Sequence, residues 1–257
     1  MHSIKGLSAV VTGGASGLGA EISQQLAAEG VNLVINGLAH DKEGADKLAK
    51  ELTEKYNVKV AFFVADMSQE ADCTALINYT LETLGGVDII ISNAGWTRHA
   101  KWADLDAFPA SDWHKSYAIN VLAVMWLYKA AQSYMEETYA KTNRAGIVIS
   151  TNSIASVRPT GSSMPYSVNK LAQIRLIESL ALHHGPHARF NAVSPGLIIT
   201  PFSVAYGEEV ISGMKNRAPL KRESGLDDCA AAFLMMVKSD SITGQRIVVD
   251  AGLASVS

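Results

Sequence analysis

Residues 7–36 leave this chain little freedom of fold. Leu7-Ser-Ala-Val-Val-Thr12 is a short apolar run of buried-strand character, and Thr12-Gly-Gly-Ala-Ser-Gly-Leu-Gly19 follows at once. Residues 20–29 then take helical spacing, with Ile22 and Leu26 four apart and Gly30 as a C-terminal stop. Residues 31–36 return to strand character. A strand, a glycine-rich turn, a helix and a second strand in this order make a crossover unit with a parallel sheet. Gly13, Gly17 and Gly19, with Ser16 and Leu18 between them, let backbone N–H groups approach a pyrophosphate at the positive end of the helix. The turn alone could be merely tight. The strand before it and the helix after it supply the context that a dinucleotide site needs.

The alternation continues to the end. Residues 41–56 read as a charged amphipathic helix and 58–64 as a strand that ends in Ala65-Asp66-Met67. A helix over 70–84 precedes a strand over 87–92, which runs into Asn93-Ala94-Gly95. Residues 111–139 read as one long helix, 146–151 as a strand, 164–184 as a helix and 189–194 as a strand. A looser segment at 195–225 leads to a helix over 227–237 and a last strand over 245–250. This pattern predicts an α/β fold: one doubly wound, Rossmann-like domain over residues 1–257, with a parallel sheet of about seven strands flanked by helices. In such a sheet ligands bind beyond the carboxyl ends of the strands, where Gly13, Asn93, Ser153 and Pro195-Gly196 fall.

Composition narrows the function classes. The chain has 22 Lys+Arg against 25 Asp+Glu, a formal charge of −3, with no basic run or tail, so neither nucleic acid nor an anionic membrane has electrostatic support as a partner. The longest apolar run, residues 121–127, is far too short to span a bilayer. Met-His-Ser-Ile-Lys leads into a strand rather than a signal peptide, and Cys73 and Cys229 form no metal or redox motif. The expectation is a soluble, cytoplasmic protein. His183, His184 and His187 cluster at a helix end with no carboxylate or cysteine beside them, so no metal site is expected.

Chemistry concentrates between Ser153 and Lys170. Tyr166 and Lys170 stand four apart and project from one helical face. A free phenol has a pKa of about 10, too high for efficient proton transfer near neutrality, and an ammonium beside it favours the phenolate. Ser153 can hydrogen-bond a carbonyl or alkoxide oxygen. Together the three read as a proton-transfer site on a C–O bond. A Tyr-x-x-x-Lys pair also occurs as a solvated helix face, with the ring packed on the lysine stem.

With these residues in place, the chain resembles the short-chain dehydrogenases/reductases over nearly its whole length. The resemblance rests on five motifs in order: Thr12–Gly19, Asn93-Ala94-Gly95, Ser153, Tyr166–Lys170 and Pro195-Gly-Leu-Ile-Ile-Thr200. It implies an NAD(P)-dependent enzyme acting on CH–OH or C=O groups. Tyr166 would be the general acid or base, Lys170 would lower its pKa and hold the nicotinamide ribose, and Ser153 would position the substrate oxygen. Asn120 would hold a proton-relay water. Asn93, Ala94, Gly95, Pro195, Gly196 and Ile198 would pack on the dinucleotide, Thr200 would contact its carboxamide, and Asp66 with Met67 would meet the adenine.

Cofactor choice is read at the end of the second strand, where an acidic residue would accept from a ribose 2′-OH and repel a 2′-phosphate. Asn36-Gly37-Leu38 stands there, with Gly37 where an aspartate is expected, which favours NADP(H) over NAD(H). Asn36, His40 and Lys42 are the nearest groups able to meet a phosphate. By the same resemblance Trp96, Arg98, Phe202 and Tyr206 would line the substrate cleft beside Ser153, with residues 196–225 as its variable segment. Apolar walls suit a small cyclic or aromatic carbonyl compound. The helices around residues 121–127 and 171–182 are apolar on nearly every side, so a second subunit would cover one side, in a homotetramer or homodimer. The expected activity is reduction of such a carbonyl compound to an alcohol. An NAD-linked alcohol or hydroxysteroid-type dehydrogenase running the reverse reaction is the runner-up, and a cofactor-binding scaffold and an imine- or cyclisation-directed enzyme are the other rivals.

Overall fold

The computed structural model describes residues 2–256. Seven strands form one sheet: β1 Ser8–Val11, β2 Asn32–Gly37, β3 Val60–Val64, β4 Ile89–Ser92, β5 Gly146–Thr151, β6 Ala188–Pro195 and β7 Arg246–Val249. Their order is β3-β2-β1-β4-β5-β6-β7 and every neighbouring pair is parallel. The strand number matches the sequence expectation. The helices are α1 Gly17–Ala28, α2 Lys42–Tyr56, α3 Glu70–Leu84, α4 Ala110–Tyr117, α5 Ala123–Thr142, α6 Met164–His184, α7 Pro201–Val204, α8 Glu208–Arg217 and α9 Leu226–Val237.

The central strands are apolar on both faces because both faces are covered. Ala9, Val11, Leu33, Ile35, Ile89 and Ile91 pack under α1, α2 and α9. Their alternating neighbours Val10, Val34, Ile90 and Val148 pack under α3, α5 and α6. The last helix lies against the first: Gln25 Nε2 donates to the Asp227 carbonyl at 3.2 Å, and Lys238 pairs with Glu29 at 2.8 Å. β1 is flanked by β2 on one side and β4 on the other, so the winding reverses there and opens a crevice beyond the carboxyl ends.

Two regions differ from the sequence reading. The long helix expected over 111–139 is broken by a π-helical turn at Ala118–Leu122, between α4 and α5. Two bonds meet at the break: the Asn120 amide donates back to the Ser116 carbonyl at 2.9 Å, and Gln173 Nε2 donates to the Asn120 carbonyl from α6. Both bonds compete with the regular helical ladder. The looser segment after Pro195 carries α7 and α8. Among the described residues no helix is long and apolar enough to cross a membrane.

Candidate active site

The glycine turn is held by backbone geometry. Gly13 and Gly17 have φ of +60° and +51°, and Gly14 N–H donates to the Asn36 carbonyl at 2.9 Å. Ser16, preceding α1, makes no side-chain cap, so no side chain competes for the first N–H groups of the helix. Gly19 packs against the turn itself: a Cβ there would drive into the Gly13 carbonyl oxygen and sit 2.6 Å from Asn93 Nδ2. Asn93 ties three strand ends together. Its amide donates to the carbonyls of Thr12 (3.0 Å) and Gly13 (3.2 Å), and its Oδ1 accepts from Thr151 Oγ1 at 2.9 Å.

Ser153 follows β5, and α6 begins at Met164 with Ser163 as its N-cap, accepting from Tyr166 N–H at 3.3 Å. Tyr166 and Lys170 therefore sit in the first two turns of α6, 8% and 2% exposed. Lys170 Nζ lies 5.5 Å from the Tyr166 ring centre and donates to the Thr151 carbonyl at 2.7 Å. Burial pushes Lys170 down to about 7. Burial also raises the Tyr166 phenol well above its ordinary value; Tyr206 adds to the rise and the Ser153 hydroxyl opposes it. Burial thus favours the neutral phenol over the phenolate.

Asn120 is fully buried and does not line the cleft. Its amide donates to the Trp96 carbonyl at 2.8 Å and its Oδ1 accepts from Trp96 N–H at 3.3 Å, so the side chain holds the loop after Gly95. The sequence reading missed its partners. Asn152 donates to the Lys170 carbonyl and to Gln173 Oε1, both at 2.7 Å, and accepts from Ser194 at 3.1 Å. Gln173 completes the link to Asn120.

A cleft of about 390 Å³ joins the glycine turn to Ser153, Tyr166 and Lys170. Ser16, Gly17, Leu18, Asp66, Met67, Ala94 and Gly95 line it, as do Pro195, Gly196, Ile198 and Thr200. Asp66 also caps its own turn, accepting from Ser68 N–H at 2.9 Å. Trp96, Phe202 and Tyr206 line the same cleft, with the Phe202 ring 6.1 Å from that of Tyr166. Arg98 does not line the cleft: its guanidinium pairs with the buried Asp112 of α4, which draws it away.

The sequence profile described as enoyl-(acyl carrier protein) reductase matches residues 13–254. A Streptomyces violaceoruber protein assigned as ketoacyl reductase 2 of the granaticin polyketide synthase is 36% identical over 249 residues, covering 95% of this chain and 94% of that one. The chain belongs to the short-chain dehydrogenase/reductase family. Among solved structures, a short-chain dehydrogenase from Burkholderia cenocepacia in complex with NADP superposes with a TM-score of 0.87 at 27% identity, covering 98% of this chain and 99% of that one. A 3-ketoacyl-(acyl-carrier-protein) reductase from Brucella melitensis complexed with NADH gives 0.87 at 26% identity, covering 98% and 100%.

As a short-chain dehydrogenase/reductase the protein is an NAD(P)-dependent oxidoreductase, and the residues present fit such a dinucleotide. The left-handed glycines and the uncapped start of α1 leave backbone donors where a pyrophosphate binds. The ribose end departs from expectation. Asn36 is 1% exposed, and its amide is spent on the carbonyls of Ala65 (3.0 Å), Gly37 and Phe63 (3.3 Å each). Lys42 is held by Asp46 at 2.6 Å, and neither it nor His40 lines the cleft. His40 and Lys42 thus lie outside the cleft, Asn36 and Gly37 line it with the Asn36 amide already committed, and Asp41, which the sequence reading passed over, lines it too.

Lys170 gives a pH signature. Its folded pKa of about 7 lies below the ordinary 10.5, so the unfolded chain binds more protons between these values and stability rises with pH across that window. In nucleotide-free protein, the stability gap between Lys170→Met and wild type should narrow in the wild type's favour as pH rises from about 7 toward 10.5. Denaturant midpoints at several pH values check this; a pH-independent gap would mean that Lys170 is solvated.

Proposed function

We propose that this enzyme reduces the carbonyl group of a small cyclic or aromatic compound to an alcohol, with Tyr166 as the proton donor. The observation that carries the reading is the convergence of a protonated, buried phenol, the Ser153 hydroxyl and the Lys170 amine in the one cleft that the glycine turn also lines. A bound nicotinamide supplies the hydride to the carbonyl carbon, or takes it in the reverse direction. Ser153 Oγ donates to the carbonyl oxygen and fixes it beside the phenol. Tyr166 Oη releases its proton to that oxygen as negative charge builds there. Lys170, charged on protonation, stabilises the phenolate left behind. Trp96 and Phe202 supply flat apolar walls that exclude water from the reacting centre. The relatives named for ketoacyl reduction support the reductive direction.

Incubation with a nicotinamide nucleotide deuterated at C4 and a panel of cyclic and aromatic ketones should place deuterium on the carbinol carbon. A panel that leaves the nucleotide unoxidised throughout would overturn the carbonyl-reductase reading. In the same assay Ser153→Ala should lower turnover by about 10²–10³-fold, the usual effect of deleting one donor to a developing oxyanion. Val168, Leu171 and Leu182 are 50%, 57% and 76% exposed along α6, which supports assembly as a homodimer or homotetramer through that helix.

A further inference from the structure

The geometry points to Asp41 as the residue that sets cofactor choice, excluding a 2′-phosphate and favouring NAD(H) over NADP(H). The inference rests on the dinucleotide reading of the cleft. An acidic side chain at the end of the second strand accepts from the ribose 2′-OH, and Gly37 offers none. The structure returns that carboxylate from four residues downstream. A Cβ built on Gly37 would lie 2.8 Å from Asp41 Oδ2, so the Asp41 carboxylate stands where a side chain at position 37 would begin. It is fixed there: Leu38 N–H donates to Oδ2 at 2.8 Å. Its side chain remains 31% exposed and lines the cleft, leaving lone pairs to accept a ribose hydroxyl.

Within the cleft lining, among the described residues, no cation stands beside this charge to offset it for a phosphate. Asp66 adds a second carboxylate to the cleft lining, and no arginine lines it among the described residues. Its two lining cations are accounted for elsewhere. Lys170 donates to the Thr151 carbonyl beside Tyr166, and Lys115 stacks 4.9 Å from the Trp96 ring centre. His40 Nε2 approaches Asp41 Oδ1 at 3.5 Å from outside the cleft, three-quarters exposed, and Lys42 is bound to Asp46. The Leu38 amide and the Asn36 amide are both spent, as described above. A 2′-hydroxyl therefore finds an acceptor, whereas a 2′-phosphate meets a like charge first, with only the exposed His40 and Lys42 side chains beyond the cleft to answer it.

Equilibrium titration of NADH and NADPH by nucleotide fluorescence tests this without turnover. The wild-type protein should bind NADH about tenfold or more tighter than NADPH, the scale of one like-charge contact. Asp41→Asn keeps an acceptor for Leu38 N–H and removes the charge. The preference should collapse toward unity in that variant, chiefly through tighter NADPH, with an unchanged thermal midpoint. Equal or tighter NADPH binding by the wild type would overturn the proposal. So would an unchanged ratio in Asp41→Asn with both nucleotides bound. Failure of both proteins to bind either nucleotide would instead overturn the dinucleotide reading, and this proposal with it.

Discussion

Tyr166→Phe is expected to lower turnover by about 10²–10⁴-fold, the range general acid catalysis contributes, while nucleotide binding stays near the wild-type value. The substitution removes one oxygen and keeps the ring, which is 8% exposed and packs toward Phe202. Lys170 should not move, because its ammonium is anchored by the Thr151 carbonyl and not by the phenol. The loss should therefore appear in kcat with little change in the nucleotide dissociation constant. Single-turnover rates on a ketone that the wild type reduces, set beside a fluorescence titration, separate the two. Turnover retained at the wild-type level would remove Tyr166 from the proton-transfer step.

Gly19→Ala attacks the other half of the site and should cost both fold and ligand. The added methyl would collide with the Gly13 carbonyl oxygen and the Asn93 amide, and backbone cannot yield as a flexible side-chain tip does. Overpacking a tight interior commonly costs about 1–3 kcal/mol, and contact with rigid backbone places this case at the upper end or beyond. Displacing Asn93 also loosens Thr12 and Thr151, which it joins. The variant should show a lower thermal midpoint and undetectable nucleotide binding. Normal binding would mean that α1 can shift away from the turn without harm. Gly44, inside α2 with open space around it, is the control: Gly44→Ala should leave nucleotide binding unchanged and the thermal midpoint unchanged or slightly raised, since alanine favours the helix.

Features written in short local patterns were legible in the sequence. The glycine turn joins a strand to a helix across the five residues 12–16, and α6 runs over 164–184 as its apolar spacing predicts. Ser153, Tyr166 and Lys170 were legible because each follows an element boundary that the pattern marks. What was not legible depends on partners far away in sequence. Gln173 meets the Asn120 carbonyl at the break over Ala118–Leu122, and no periodicity in the long apolar stretch announces it. Arg98 looked available until Asp112 was placed beside it. Asn36 looked like a surface donor, yet three carbonyls from β2 and its neighbour consume its amide. Asp41 reads as an ordinary helix-start acid. Only the turn after β2, which folds it back over Gly37, gives it a place in the cleft.

The packing of α9 on α1 has a consequence for how the polypeptide is made. β1, β2 and β3 pair within residues 8–64, so the phosphate-binding turn can take shape soon after it leaves the ribosome. Yet the outer face of α1, around Ile22 and Leu26, belongs to a core closed by Phe233 and Met236. Those residues are synthesised more than two hundred positions later. Throughout that interval the nascent chain carries an open apolar stripe, the kind of surface that aggregates or recruits chaperones. Translation that stops short of Leu226 therefore yields a product that carries Ser153, Tyr166 and Lys170 but lacks the helix that covers α1.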